Sequence, residues 1–345
     1  MAIKVLVVDD SLVFRETLSK LLSAEAGIEI AGTAVDAFTA KEKIEKLNPD
    51  VLILDVEMPR VSGIDFLKEL LPKRPIPTVV VTSTAISAFD AISAGAVDFV
   101  KKPLVKSRGD IEDFAKLLAQ KIKIASIAKV KLFSHPADKP APAGIAKIAM
   151  GGNFSSNKDL VIALGASTGG TDALLAVVQD LPANTPGIVI VQHMPPVFTK
   201  MYAERLDRIC KMSCKEAQDG DRVERGKIII GAGGFHLRLA KDAKGYYVTS
   251  KEGEKVSGHC PSVDVLFDSV ADVAGRNAVA AILTGMGSDG AKGLKKIRDK
   301  GGFTIGQDKE TCVVYGMPMV AYQMGGVCQQ APLTKIPEII LQHCK

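Results

Sequence analysis

Within the first 124 residues, short apolar runs and amphipathic segments alternate without a break. "IKVLVVDD", "EIAGTA", "DVLILDVEMP", "TVVVTST" and "DFVKKP" read as strands. "FRETLSKLLSA", "AFTAKEKIEKL", "GIDFLKELL", "SAFDAISAG" and a segment near 110–124 read as helices. Strict alternation leaves few folds open, because consecutive parallel strands need crossovers and the crossover helices cover the sheet. The near-continuous apolar character of the strands fits a sheet buried on both faces. The expected fold is α/β, a doubly wound parallel sheet.

Periodicity then stops. Residues 126–158, "SIAKVKLFSHPADKPAPAGIAKIAMGGNFSSN", are rich in Pro, Ala, Gly, Ser and Lys, which is a linker composition. From Asp159 the alternation resumes: strand "LVIAL", helix "TDALLAVVQDL", strand "GIVIVQH", helix "FTKMYAERLDRI". A strand-rich stretch covers about 214–250, followed by helix "VDVLFDSVADVAG", strand "AVAAILTG", helix "AKGLKKIRDK" and strand "GFTIGQD". At 345 residues the chain is long for one domain. The expected organisation is therefore a first domain at 1–123, a linker at 124–158 and a second α/β domain at 159–345, with a second doubly wound parallel sheet.

Charge excludes some functions. Residues 1–123 carry 17 basic and 18 acidic residues, 124–158 five and one, and the remainder 22 and 20. The net charge of +5 thus comes mostly from the linker, and neither domain presents the basic excess of a nucleic-acid binder. The chain opens directly into a strand, so no signal peptide is expected. No apolar run approaches the ~18–20 residues of a membrane span. Six scattered cysteines, with Cys210 and Cys214 four apart on an expected helix, complete no zinc pattern. Reduced thiols in a cytoplasmic protein are expected.

Functional loops of a parallel sheet lie beyond the carboxyl ends of its strands. The first strand ends in Asp9 and Asp10, the third in Asp55, the fourth in Thr82 and the fifth in Lys102. Any one acid there could be a solvated loop residue. Three converging carboxylates repel one another, and a hard divalent cation such as Mg²⁺ is the usual remedy.

In the second domain "GASTG" (165–169) fits a nucleophile elbow, a sharp strand-to-helix turn that exposes a serine. Ser167 could equally belong to a phosphate cradle at a helix start, or simply suit a tight turn. A dinucleotide site would want an acid at the end of the next strand. That strand ends in Gln192 and His193 instead, which removes the dinucleotide option. Of the five histidines, His193 alone follows the strand next to the serine's. "AVAAILTGMGSDG" supplies a third strand that empties into a loop containing Asp289. Ser167 as nucleophile, His193 as base and Asp289 as orienting acid would then meet at one sheet edge, triads being defined by geometry and not by chain order.

Over about the first 123 residues, "VLVVDDS", "DVLILDVEMPRVSGIDFL", "VVVTS" and "GAVDFVKKP" resemble the receiver domain of two-component response regulators. That resemblance implies a (βα)5 fold with Asp55 as phosphoacceptor from a sensor histidine kinase. It further implies Mg²⁺ at Asp9, Asp10 and Asp55, phosphoryl contacts from Thr82 and Lys102, and Phe99 at the aromatic switch position. In the second domain, "ALGASTGGTDAL", "VQHMPPVFT", "GHCPSVDVLF", "ILTGMGSDGAKGL", "CVVYGMP" and "MGGVC" look like the catalytic domain of chemotaxis protein-glutamate methylesterases, the CheB family, with a Rossmann-like fold. This implies hydrolysis of glutamyl methyl esters on methyl-accepting chemoreceptors, releasing methanol, and deamidation of receptor glutamines. The family's triad maps onto Ser167, His193 and Asp289, and Thr168 and Met286 fall in its oxyanion region. No cofactor is implied in the catalytic domain, and neither nucleic acid nor membrane insertion. The family further implies that the unphosphorylated receiver blocks the active-site opening until phosphorylation relieves it. One departure stands out: many members carry glycine where Val197 follows the two prolines. A binding module without hydrolysis is the alternative class, and would have no chemical need for all three triad residues.

Overall fold

The structure, a computed structural model, describes residues 2–103, 108–130 and 159–344. The chain divides into two compact units, Met1–Pro142 and Ala143–Lys345. Most of the expected linker, including His135, lies outside the described residues. Among the described residues no helix is long and apolar enough to cross a membrane.

The first unit runs β1 (Ile3–Val8), α1 (Leu12–Ser23), β2 (Ile28–Ala34), α2 (Ala37–Leu47), β3 (Val51–Asp55), α3 (Gly63–Leu70), β4 (Thr78–Thr82), α4 (Ala85–Ser93), β5 (Asp98–Lys101) and α5 (Arg108–Ala125). Its strands are all parallel, in the order β2-β1-β3-β4-β5. The order reverses between β1 and β3, which is where such sheets open a crevice beyond the strand ends. Val5, Leu6, Val7, Val51, Leu52 and Leu54 are fully buried, as expected for strands covered on both faces. Helix starts are set by side chains: Ser11 caps α1, Ser62 caps α3, and Asp36 with Thr39 forms a capping box on α2. α5 continues to Ala125, past the expected boundary at 123, because Leu118, Ala119, Ile122 and Ala125 extend its buried stripe.

The second unit runs β6 (Val161–Ala166), α6 (Gly170–Val178), β7 (Ile188–Gln192), α7 (Phe198–Ile209), β8 (Ser213–Glu216), β9 (Lys227–Ile230), β10 (Phe235–Asp242), β11 (Gly245–Glu252), α8 (Val263–Val273), β12 (Ala278–Ile282), α9 (Ala291–Asp299), β13 (Phe303–Gln307), α10 (Met317–Gln323), β14 (Gln329–Ala331) and α11 (Ile336–His343). Seven strands form a parallel sheet in the order β14-β13-β12-β6-β7-β9-β8, while β10 and β11 pair as a separate antiparallel hairpin. β6 is the switch point, with β7 on one side and β12 on the other. Two doubly wound parallel sheets are therefore present.

Cys210 and Cys214 do not share a helix. α7 stops at Ile209, Cys210 is extended, and the Asp207 carboxylate accepts the Cys214 N–H at 2.7 Å as the chain turns into β8. Burial pushes both thiols above their ordinary value, Cys210 to about 11 and Cys214 further still, away from thiolate.

Candidate active site

The loops after β6, β7 and β12 converge at the switch point. Ser167 follows β6, and its N–H donates to the Thr284 carbonyl beyond β12 at 3.0 Å. The His193 N–H donates to the Ala166 carbonyl at 3.2 Å, so the base candidate is tied to the residue before the serine. Gly169, the residue before α6, sits in the left-handed region at φ +75°, which gives the elbow its sharp turn. Ser167 is 9% exposed, at the margin of the buried interior.

His193 Nε2 lies 2.7 Å from Asp289 Oδ2, and its Nδ1 is buried without a hydrogen-bond partner among the described residues. Asp289 is held from several sides. Its Oδ1 accepts the Ser262 hydroxyl at 2.7 Å and the Asp264 N–H at 3.1 Å, and its Oδ2 accepts the Val263 N–H at 2.7 Å. Ser262 caps α8, so these N–H groups belong to the first turn, where a helix has donors to spare and a positive end. Burial alone would raise the Asp289 pKa, but the hydrogen bonds from His193, Ser262 and Val263 outweigh it and hold the carboxyl below its ordinary value. The carboxylate is thus kept ionised beside the imidazole.

Sequence reasoning missed several contributors. His259 stacks on His193, ring centroids 3.6 Å apart and planes 10° from parallel. His236, buried in β10, meets the Glu254 carbonyl through Nε2 at 2.8 Å and accepts the Ser262 N–H at Nδ1. Thr284 Oγ1 stands 3.0 Å from the Thr168 carbonyl and also accepts the Val314 N–H at 3.0 Å. Only Ser262 carried a sequence signal, as a serine just ahead of an apolar helical run. Of the expected oxyanion pair, Thr168 is buried and Met286 is exposed, and the Met286 N–H makes no hydrogen bond among the described residues.

In the first unit Asp9, Asp10 and Asp55 bring carboxylate oxygens within 4.8 Å of one another. Lys102 Nζ lies 2.8 Å from Asp9 Oδ2 and 2.6 Å from Asp55 Oδ2, and 4.6 Å from the centre of the Phe14 ring. Burial, reinforced by Asp55, pushes Asp9 up to about 6 against the downward pull of Lys102 and the Ser11 N–H. Burial lowers the Lys102 ammonium's pKa, but its bonds to Asp55 and Asp9 reverse that and raise it. The three carboxylates form a hard, oxygen-only donor set of the kind that suits Mg²⁺, and the Lys102 ammonium between Asp9 and Asp55 offsets part of their charge. Thr82 is fully buried, and its hydroxyl bonds locally to Thr84. Phe99 is buried edge-on to Phe89, at 6.2 Å.

Fold and sites together define a class: a receiver-type α/β module followed by a hydrolase-type α/β module with a serine, a histidine and an aspartate at adjacent strand ends. The chain belongs to the CheB methylesterase family, which matches residues 162–340, and the response regulator receiver domain matches residues 5–112. It is 50% identical over 338 residues to protein-glutamate methylesterase/protein-glutamine glutaminase 2 of Syntrophomonas wolfei, covering 98% of this chain and 96% of the relative. It is 43% identical over 347 residues to the similarly named protein of Pseudomonas aeruginosa, covering 99% and 97%. The crystal structure of the Thermotoga maritima CheB methylesterase catalytic domain is 41% identical and superposes with a TM-score of 0.52, covering 53% of this chain and 97% of that one.

Proposed function

We propose that this chain is a phosphorylation-activated protein-glutamate methylesterase. It removes methyl groups from glutamyl methyl esters of chemoreceptors, releases methanol, and deamidates receptor glutamines. Relatives that align over nearly the whole chain carry both activities in their names. The single observation that carries the chemistry is the 2.7 Å contact between His193 and Asp289, beside a serine on the adjoining strand.

Nε2 is committed to Asp289, so Nδ1 is the ring nitrogen left to take the Ser167 proton. Ser167 Oγ attacks the ester carbonyl, and the carbonyl electrons move onto oxygen, where the oxyanion accepts hydrogen bonds from the N–H groups of Thr168 and Met286. Asp289 fixes the tautomer and stabilises the imidazolium. The C–O bond to methoxide then breaks, and the imidazolium proton leaves with it as methanol. Water, deprotonated by the same imidazole, hydrolyses the acyl-enzyme and restores Ser167. With glutamine the leaving group is ammonia.

In the receiver, spanning 1–123, Asp55 is the phosphoacceptor for a sensor histidine kinase, and Thr82 and Lys102 contact the phosphoryl oxygens. Asp9, Asp10 and Asp55 hold Mg²⁺, which when bound offsets charge on the transferring group. Residues 124–158 tether the receiver to a catalytic domain at 159–345. The substrate and the phosphodonor place the protein in the cytoplasm. The test is methanol release from methylated receptor membranes by the intact protein and by Ser167→Ala. The variant is expected to release none above background, and equal release by both would remove the nucleophile assignment.

A further inference from the structure

Gln192 closes β7 one residue before His193, and the strand register sets it opposite Ala166, one residue before Ser167. Its side chain lies beneath the elbow, 3% exposed. Nε2 donates to the Ser167 carbonyl at 2.8 Å and reaches the His193 carbonyl at 3.4 Å. One amide group therefore spans the backbones that carry both reacting side chains. Oε1 is buried with no partner among the described residues. An unpaired buried acceptor costs free energy, so packing alone would be better served by an apolar residue of the same size.

The surroundings are fitted to this amide. Gly170 opens α6, and a Cβ there would stand 2.1 Å from Gln192 Oε1. Oε1 is thus pressed against the positive end of α6, which partly offsets its missing bond. The donor side faces the site backbone and the acceptor side faces the helix end, so the amide has one orientation that works.

We propose that Gln192 is a positioning residue, resting on the assignment of Ser167 and His193 as nucleophile and base. Its NH₂ group sets the separation of the two by holding both carbonyls. A misplacement of about 1 Å at such a pair costs on the order of 10²-fold in rate.

The test compares Gln192→Glu and Gln192→Met in the full-length protein, with phosphodonor and Mg²⁺ held constant. Methanol release from methylated receptor membranes is followed between about pH 6 and about pH 9.5, a range that spans the titration of buried glutamates. A glutamate there is nearly isosteric but offers a donor only when protonated. Both variants are expected to lose kcat by about 10- to 100-fold with KM little changed at the alkaline end. As pH falls, the activity of Q192E relative to the wild type recovers while that of Q192M does not. Gly170→Ala, which displaces the amide from the other side, is expected to lower kcat without the pH-dependent recovery.

Full activity of Q192E across the range overturns the proposal. So does a loss equal to that of Q192M at every pH, since volume and not the donor would then matter. Full activity of both G170A and Q192M overturns it even where Q192E does not fold. Failure of the nucleophile assignment is distinguishable, because it appears as methanol release by Ser167→Ala whatever the Gln192 variants do.

Discussion

His193 meets Asp289 through Nε2, at 2.7 Å, and keeps Nδ1 buried and without a hydrogen-bond partner. The ring is therefore held by one nitrogen and offers the other. His259, stacked at 3.6 Å, restricts the tilt of the ring, and the first turn of α8 restricts the carboxylate. The acid is fixed by more bonds than the base, as expected when its task is to impose a tautomer on its neighbour.

Asp289→Asn keeps the shape but offers Nε2 an amide in place of a carboxylate. The imidazolium loses its counter-charge and the tautomer is no longer enforced. The expected loss is roughly 10³–10⁴-fold in kcat, by analogy with orienting acids in other triads. Initial rates of methanol release at saturating receptor measure it. A variant within tenfold of the wild type would show that Asp289 is not the orienter.

Asp289 also makes a pH prediction for stability. Its folded-state pKa is depressed below the ordinary value of 3.8, so the unfolded chain takes up its proton first as pH falls. The stabilisation it contributes is present above about pH 4 and is lost as pH falls through the lower folded value. Urea unfolding of the wild type and of Asp289→Asn should differ at about pH 5, and the difference should shrink as pH falls below about pH 4. A difference that grows in acid would contradict the sign.

Val197 caps α7 at φ +75°, ψ −43°, a conformation that a β-branched residue adopts only under strain. Left-handed backbone costs a non-glycine residue roughly 1–2 kcal/mol, while glycine gives back about 0.5–1 kcal/mol in unfolded-state entropy. Val197→Gly is expected to raise the unfolding midpoint modestly, by the equivalent of up to about 1 kcal/mol. A lowered midpoint would mean that the exposed valine side chain makes a contribution larger than its strain.

The parts of this molecule that were legible in the sequence share a physical basis. Parallel strands buried on both faces leave apolar runs, and their carboxyl ends collect polar residues, so Asp9, Asp55, Ser167 and His193 could all be placed by strand reasoning alone. Asp289 was reachable because its loop directly follows such a strand. What escaped depends on folding at long range. Gln192 and Thr284 look like ordinary strand-end residues, and only the register reveals which carbonyls they meet. His259 and His236 reach the site from the segment around the β10–β11 hairpin, which has no fixed relation in sequence to the sheet. α10 and β14, at seven and three residues, are too short to show a period. The orientation of the His193 ring is invisible to any sequence argument.

Coupling between the two units is tested by removing the first. The second unit has its own core, in which Val161, Val189, Leu266, Phe267, Ile282 and Leu294 are fully buried together, so it has the means to fold without residues 1–150. If the unphosphorylated receiver holds activity down, deleting residues 1–150 raises basal methanol release. Coupling free energies between regulatory and functional sites commonly correspond to about 5- to 150-fold, and the rise should fall in that range. In the intact chain, Asp55→Asn should keep the low basal rate and lose its response to phosphodonor, because the phosphoacceptor is gone while the receiver remains. A truncated enzyme no faster than the unphosphorylated full-length protein would sink the inhibitory role. An Asp55→Asn protein that is already as fast as the truncated one would place the control in the Asp55 carboxylate itself, and not in the phosphoryl group.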